Sequence, residues 1–432
     1  MSDPTRTIEV HRAHVVFPDA RTALVDGAVA VAGGVVLDVG TYAEVSSRLP
    51  SRAAFVHEWD GILTPGLVNA HTHLQYTDMA VLGRGGYASF EQWGARFNEL
   101  YELERDWGAS AADGVALSLC AGTTAVAEIV TDLGARHAVH DGGLHGITFW
   151  EVFGWKEDAW LRGGAEQVLA DLATVPEPPA RGLSPHALYS LDGVVLRDLA
   201  QVAARHDLRL HIHAAESASE DEFARTGTGM LAERWRELGH PDLKLLASGG
   251  AGMGVISYLD SLGVLSPRTH IAHGIYVDAD DRAILRERGV VAALCPRSNR
   301  VIGLADPPVA DYLREGNTIA VGTDSLSSSP SLSVRDDVAE LYRIARAQGY
   351  ADNNLHARLF DAATRGGAAA LGLDAGTGAI GRLAPGRRAD LAAFRVAART
   401  PREALAEFVE GGGTEALTTI VDGVIRHRCA QL

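Results

Sequence analysis

Three cysteines, Cys120, Cys295 and Cys429, are all that 432 residues contain, and none is spaced as a CxxC pair. That scarcity excludes a disulfide framework and a thiolate-rich zinc module, and it fits a chain kept among reduced thiols in the cytoplasm. Lysine is scarcer still, with only Lys156 and Lys244. Positive charge is in deficit: 39 basic against 55 acidic residues leave a formal charge of −16, which repels phosphate backbones and anionic membrane surfaces. Nucleic acid and membrane are therefore not expected as partners. No run of eighteen uncharged apolar residues occurs, and MSDPTRTIEVHRAH has no apolar core of a secretory signal, so neither a membrane span nor export is expected.

What is present is enough apolar residue, 47%, to build a large core. From Thr7 to about Val45 the texture is short β-rich runs broken by Asp-Gly and Gly-Gly, with no helical stretch, which predicts a small antiparallel sheet. The same texture returns in GRLAPGRRADLAAFRV and ALTTIVDGVIRH, so the two ends are expected to share one satellite sheet. Between them apolar strand candidates alternate with longer Ala/Leu/Arg-rich segments, the pattern of parallel β-α units. The candidates number eight: ILTPGLVNAHTH, GTTAVAEIV, GITFWEVFG, RGLSPHALYS, LRLHIHAAE, RTHIAHG, GVVAALCPRSN and NTIAVGTDS. Eight such units close a TIM-type (β/α)8 barrel. The expected division is a satellite sheet from residues 1–58 and 371–432, the part that the resemblance given below implies is a composite β-sandwich, beside a barrel at 59–370.

In such barrels chemistry sits at the C-terminal ends of the strands, and the polar residues of this chain gather there. His71 and His73 end the first strand, and alternation puts both rings on one side. Alone the pair means little, because 17 histidines give roughly 0.7 HxH pairs by chance, and His211-Ile-His213 is a second. The ordered set is harder to excuse: His213 closes the fifth strand, His273 the sixth and Asp324 the eighth. Singly each reads as a satisfied core histidine or a helix N-cap aspartate. Together, neutral imidazoles and a carboxylate suit Zn²⁺, or Fe²⁺ as the alternative, with a position left open for water. Glu216, three residues past His213, can reach such a water without taking a coordination position and is the natural proton shuttle. The bland alternative is an acidic first helical turn, the reading that suits Glu220, Asp221 and Glu222.

LTPGLVNAHTHL, SPHALYS, HIHAAES, HIAHG, LCPRSN, VGTDS and GRLAPGRRADL together resemble the amidohydrolase superfamily, in its cytosine/adenosine deaminase-like branch. The resemblance implies a (β/α)8 barrel with a composite β-sandwich and one divalent metal on His71, His73, His213 and Asp324. It also implies His273 beside the attacking water, Glu216 as shuttle, Asp324 as a further proton acceptor and His186 facing the substrate. Relatives with two metals bridge them by a carboxylated lysine at the end of strand four; SPHALYS offers none, which favours one metal. A second zinc deaminase fold needs H-x-E with P-C-x-x-C, which this chain lacks.

Within the branch that the chain resembles, the HxxE form His213-Ala-Ala-Glu216 implies attack on an amino-bearing ring carbon, with release of ammonia. Tyr76, Tyr87, Phe90 and Trp93 in the long first loop offer flat walls for a purine, though lid and core packing is the expected role of most. Gln75, Arg84 and Trp93 are candidate substrate contacts, and Glu128 and Glu151 further polar ones. HTHLQYTDM with SFEQW resembles deaminases of 6-amino-6-deoxyfutalosine, an adenine nucleoside of menaquinone biosynthesis. Adenosine, methylthioadenosine or S-adenosylhomocysteine deamination is the alternative, and triazine dechlorination or a non-catalytic scaffold stand further off. A homodimer is what the family implies for assembly.

Overall fold

The computed structural model describes residues 7–49 and 54–430. The first apolar runs form β1 (Ile8–Val16), β2 (Leu24–Ala32) and β3 (Val35–Thr41), antiparallel neighbours as expected. β4 (Ala54–Pro65) then adds to the other side of β1 in parallel, so the sheet is mixed rather than purely antiparallel. A second departure is the helix Tyr42–Arg48, which begins inside the stretch expected to hold none. Its cause is local: Thr41 accepts from the Glu44 amide while Glu44 bonds back to the Thr41 backbone, a reciprocal cap that starts a helix at once.

The eight expected barrel strands all form: β5 (Leu67–Thr72), β6 (Thr123–Val130), β7 (His145–Val152), β8 (Ala180–Pro185), β9 (Arg209–Ala214), β10 (Thr269–His273), β11 (Val291–Leu294) and β12 (Ile319–Val321). They pair in parallel and in chain order from β5 to β12. β5, β6, β10, β11 and β12 are buried at every position, as strands covered on both faces must be. Side-chain and backbone hydrogen bonds join β12 to β5 across the seam. Asn69 donates to the Thr323 hydroxyl at 2.8 Å and accepts from its amide at 3.1 Å, while the amides of Thr323 and Asp324 donate to His71 O.

Beyond the barrel, β13 (Leu391–Phe394) pairs with β4, and β14 (Thr418–Val421) and β15 (Val424–Arg428) form a hairpin whose Asp422-Gly423 turn has φ of 51° and 72°. Strands from the first and last parts of the described chain thus lie in one seven-stranded sheet. Phe17, Phe360, Phe394 and Phe408 pack edge to face or tilted between this sheet and the barrel helices, joining the two cores. Among the described residues no helix is long and apolar enough to cross a membrane.

Candidate active site

Strand ends, not helices, aim the polar groups. His73 follows β5, Glu151 lies near the end of β7, His186 follows β8, His213 is near the end of β9, and His273 ends β10. Asp324 lies three residues past β12. Two of these positions depend on uncommon backbone. His270 points inward, its Nε2 3.2 Å from Ala70 O, so strict alternation would turn His273 outward; the left-handed conformation at His273, φ 70°, swings its ring to 5.4 Å from that of His71. Asp324 has φ 58°, and Gly322 lets the chain pass so close that an added Cβ would lie 2.8 Å from His71 Cβ.

The result is a knot of donors. His73 Nε2 is 3.3 Å from His213 Nε2, and Asp324 Oδ1 is 3.5 Å from His71 Nε2 and 3.9 Å from His73 Nε2. His71, His73 and His213 place one ring nitrogen each within 4.8 Å of one another, as do His71, His273 and Asp324 with a nitrogen or oxygen apiece. Both nitrogens of His71 and Nδ1 of His73 are buried without a hydrogen-bond partner. Such orphaned atoms are costly unless something else engages them. A tetrahedral ion with bonds of roughly 2.0–2.1 Å separates neighbouring ligand nitrogens by roughly 3.3–3.4 Å, the spacing seen between His73 and His213. The donor set therefore fits a divalent cation.

Burial keeps the imidazoles neutral, the form that ligates: it lowers His71, takes His73 down to about 3 and puts His213 well below its ordinary value, with neighbouring histidines adding to it. Burial alone would raise Asp324, yet the approach of His71, 3.5 Å away, and the surrounding rings hold its carboxyl well below the usual range. Glu216 goes the other way. Its carboxyl is buried and pushed up to about 8, first by desolvation and then by Asp324, and Oε1 lies 3.4 Å from His273 Nε2.

A surrounding layer fixes these groups. Ser298 and Ser328 both donate to Asp324 Oδ2, at 2.7 and 2.8 Å, leaving Oδ1 toward the histidines. Asn299 meets His273 Nδ1 at 3.2 Å. Glu220 accepts from the Glu216 amide at 2.7 Å and is buried, so the acid expected merely to start a helix also positions Glu216. Ser217 caps that helix, Ala218–Thr226, as the acidic first turn anticipated.

The expected substrate contacts fare unequally. His186 lies in the site, its ring 5.1 Å from His213 and 4.9 Å from the exposed Phe153, and burial lowers it to about 4. The structure does not bring Gln75 into the cluster: its amide is buried and engaged with Thr131 and the Asp132 backbone. Arg84 is exposed on the first loop. Trp93, on the helix Phe90–Tyr101, donates to Ser327 O at 2.9 Å, and Glu91 of the same helix accepts from Ser219 at 2.6 Å. That helix is thus fastened on one side beyond Asp324 and on the other beyond Glu216. Of the two further polar residues, Glu128 is spent on the Leu74 amide, whereas Glu151 sits 3.8 Å from His213 Nδ1, pushed up to about 8 by burial.

Sequence comparison gives a consistent picture. The sequence model of the Amidohydrolase family matches residues 62–426, which span every barrel strand and all the residues of this site. The chain belongs to the amidohydrolase family. It is a hydrolase acting on carbon–nitrogen bonds. Among curated relatives of this amidohydrolase is a 5-methylthioadenosine/S-adenosylhomocysteine deaminase of Haloarcula marismortui, 29% identical over 386 residues, covering 85% of this chain and 82% of that one. A 5'-deoxyadenosine deaminase of Methanothermobacter thermautotrophicus is 28% identical over 432 residues, covering 93% and 90%. Among solved structures, the Helicobacter pylori aminofutalosine deaminase complexed with methylthio-coformycin superposes with TM-score 0.81 at 21% identity, covering 96% of this chain and 99% of that one, a likeness of fold. Sequence reading did not find the amidohydrolase's supporting groups Ser298, Asn299, Ser328 and Glu220. The PRSN run, the serines after Asp324 and the acidic turn that holds Glu220 were their trace in the sequence.

Proposed function

We propose that this amidohydrolase is a metal-dependent hydrolytic deaminase of adenosine-like nucleosides. The observation that carries the reading is the convergence of the histidine nitrogens and Asp324 Oδ1, with the buried Glu216 carboxyl beside them. His71, His73, His213 and Asp324 would hold one divalent ion, Zn²⁺ in our reading. Such an ion lowers the pKa of a water toward neutrality and so supplies a nucleophile.

The chain's own groups account for the protons. Glu216 is held in a poorly solvated position by Glu220 and carries a proton at neutral pH when its pKa is about 8. It gives that proton to the ring nitrogen next to the amino-bearing carbon as the water oxygen bonds to that carbon. It then takes a proton from the added oxygen and passes it to the departing amine. The carbon–nitrogen bond breaks, ammonia leaves and the ring keeps a carbonyl. His273, fixed by Asn299, steadies the oxygen during this transfer, and Asp324 is the second acceptor. His186, Glu151 and Phe153 form the adjoining wall against which a purine nucleoside rests.

Among adenine nucleosides we infer 6-amino-6-deoxyfutalosine as the substrate, supported by the resemblance of HTHLQYTDM and SFEQW to its deaminases. Deaminase names among the curated relatives support the broader class. The test is a substrate panel of adenosine, 5'-deoxyadenosine, methylthioadenosine, S-adenosylhomocysteine and aminodeoxyfutalosine, read as ammonia release by the zinc-loaded protein. The highest kcat/KM on aminodeoxyfutalosine is expected. A higher value on another nucleoside corrects the substrate but keeps the class, and silence on all five overturns both.

A further inference from the structure

A line of rings leaves the histidine cluster beside β7, β8 and β9. The His186 ring lies 5.1 Å from that of His213, Phe153 meets His186 edge to face at 4.9 Å, Trp235 lies 6.1 Å from Phe153, and His240 5.4 Å from Trp235. Exposure rises along the first three: His213 is buried, His186 half-buried and Phe153 53% exposed. A lone exposed phenylalanine needs no explanation. This one stands between the histidine cluster and a half-buried tryptophan, and so offers uncovered apolar surface on the way out of the site.

The backbone holds these rings where they are. Phe153 directly follows β7, and the next residue, Gly154 at φ 75°, turns the chain while its amide donates to Ser190 O at 3.1 Å. The Ser190 hydroxyl in turn meets His186 Nδ1 at 2.9 Å, so one residue ties both rings. Trp235 stands on the helix Gly229–Glu237 and packs against the main core, and the Arg236 guanidinium fastens that helix to Gly227 O at 3.1 Å. The rings on the opposite side of the cluster are already engaged. Tyr76 stacks on His73, but Phe97, Tyr101 and Trp107 close on it edge to face, and its hydroxyl shares a hydrogen bond with that of Thr131.

We propose that Phe153 and Trp235 form a subsite for a flat aromatic group carried on the 5' position of the nucleoside's sugar. The inference rests on the deaminase reading, which puts the amino-bearing ring carbon at the histidine cluster. In a purine nucleoside the sugar is attached at the far end of the ring system, so whatever extends from its 5' carbon lies outward, past His186 toward Phe153. An aromatic arm there covers the exposed ring of Phe153 and meets Trp235, burying apolar surface on both partners in the tilted or edge-to-face contacts that rings prefer. A methylthio group is too small to cover both rings, and a bare 5' carbon reaches neither.

Titration calorimetry of the zinc-loaded full chain with two coformycin analogues, one bearing a methylthio and one a phenylthio group at the 5' position, tests this without turnover. Both mimic the reacting purine, so they differ only in the arm. The phenylthio analogue is expected to bind roughly tenfold more tightly to the native sequence. In Trp235→Ala the ratio of the two dissociation constants should fall to about one, and Phe153→Ser, at an exposed position, gives the same reading if the tryptophan variant fails to fold. Equal affinities in the native sequence, or a ratio that survives in a folded variant, would overturn the subsite while leaving the deaminase reading in place. Failure of both analogues to bind would overturn the deaminase reading, and the subsite with it.

Discussion

His213 Nδ1 lies 2.9 Å from the carbonyl oxygen of His186. A carbonyl only accepts, so His213 must carry its proton on Nδ1, and Nε2 is left with a free lone pair facing His73. The backbone of one expected site residue thereby sets the tautomer of another, the arrangement found wherever an outer partner orients a metal-binding imidazole.

The same logic applies on the other side of the cluster, where Ser298 and Ser328 hold Asp324 Oδ2. Ser298→Ala removes one of the two hydroxyl donors without opening a large cavity. Zinc affinity should fall by roughly 10–100-fold, as for other outer-layer partners of metal ligands. Competition with a chromophoric chelator measures it, and an unchanged affinity would mean that the serine does not orient the aspartate.

Glu216→Gln keeps the shape of the side chain and removes its proton chemistry. A drop in kcat of roughly 10²–10⁴-fold is expected, with bound metal unaltered. Retained turnover would assign the proton transfers elsewhere, and loss of metal would make Glu216 a ligand.

Trp93→Phe retains a ring on the helix Phe90–Tyr101 but cannot donate to Ser327 O. One hydrogen bond of about 1 kcal/mol corresponds to about a fivefold change in an equilibrium. If the helix covers bound substrate, KM rises by about that factor and kcat holds, which steady-state kinetics distinguishes.

Stability should also vary with pH through a cluster remote from the site. Although burial opposes it, Asp390 and Asp422, 3.5 and 3.2 Å from Nε2, raise His145 from 6.5 to about 9, even with the Arg388 guanidinium 3.1 Å away. A folded-state pKa above the unfolded one gives stability that is complete below pH 6.5 and is lost as pH rises through about 9. Urea midpoints across that range should decline in the native sequence, and His145→Gln should remove this part of the decline.

The barrel was legible because its eight strands are apolar runs between helical segments, and a parallel sheet covered on both faces demands such runs. The short helix Tyr42–Arg48 was missed because a capping box of two residues, Thr41 and Glu44, outweighed the β texture around it. The histidine and aspartate positions could be read from order along the chain, since strand ends of a closed barrel must converge. Gln75 could not be placed by that reasoning: it lies in a 3-10 helix beyond the strand, where spacing says nothing of direction, and its amide serves Thr131 and Asp132 instead. The roles of Ser298, in the short helix Pro296–Val301, and of Ser328, in the loop after Asp324, could not be read, because tertiary contact alone decides which group a hydroxyl meets.

Ammonia release from adenine nucleosides by the same preparation, before chelation, after it and after zinc is restored, bears most directly on a cation-dependent deaminase. Turnover should vanish with the metal and return with it, tracking about one ion at the histidine cluster per chain. A metal-free chain that deaminates at full rate, or a zinc-loaded one that releases no ammonia from any of these nucleosides, would contradict the account.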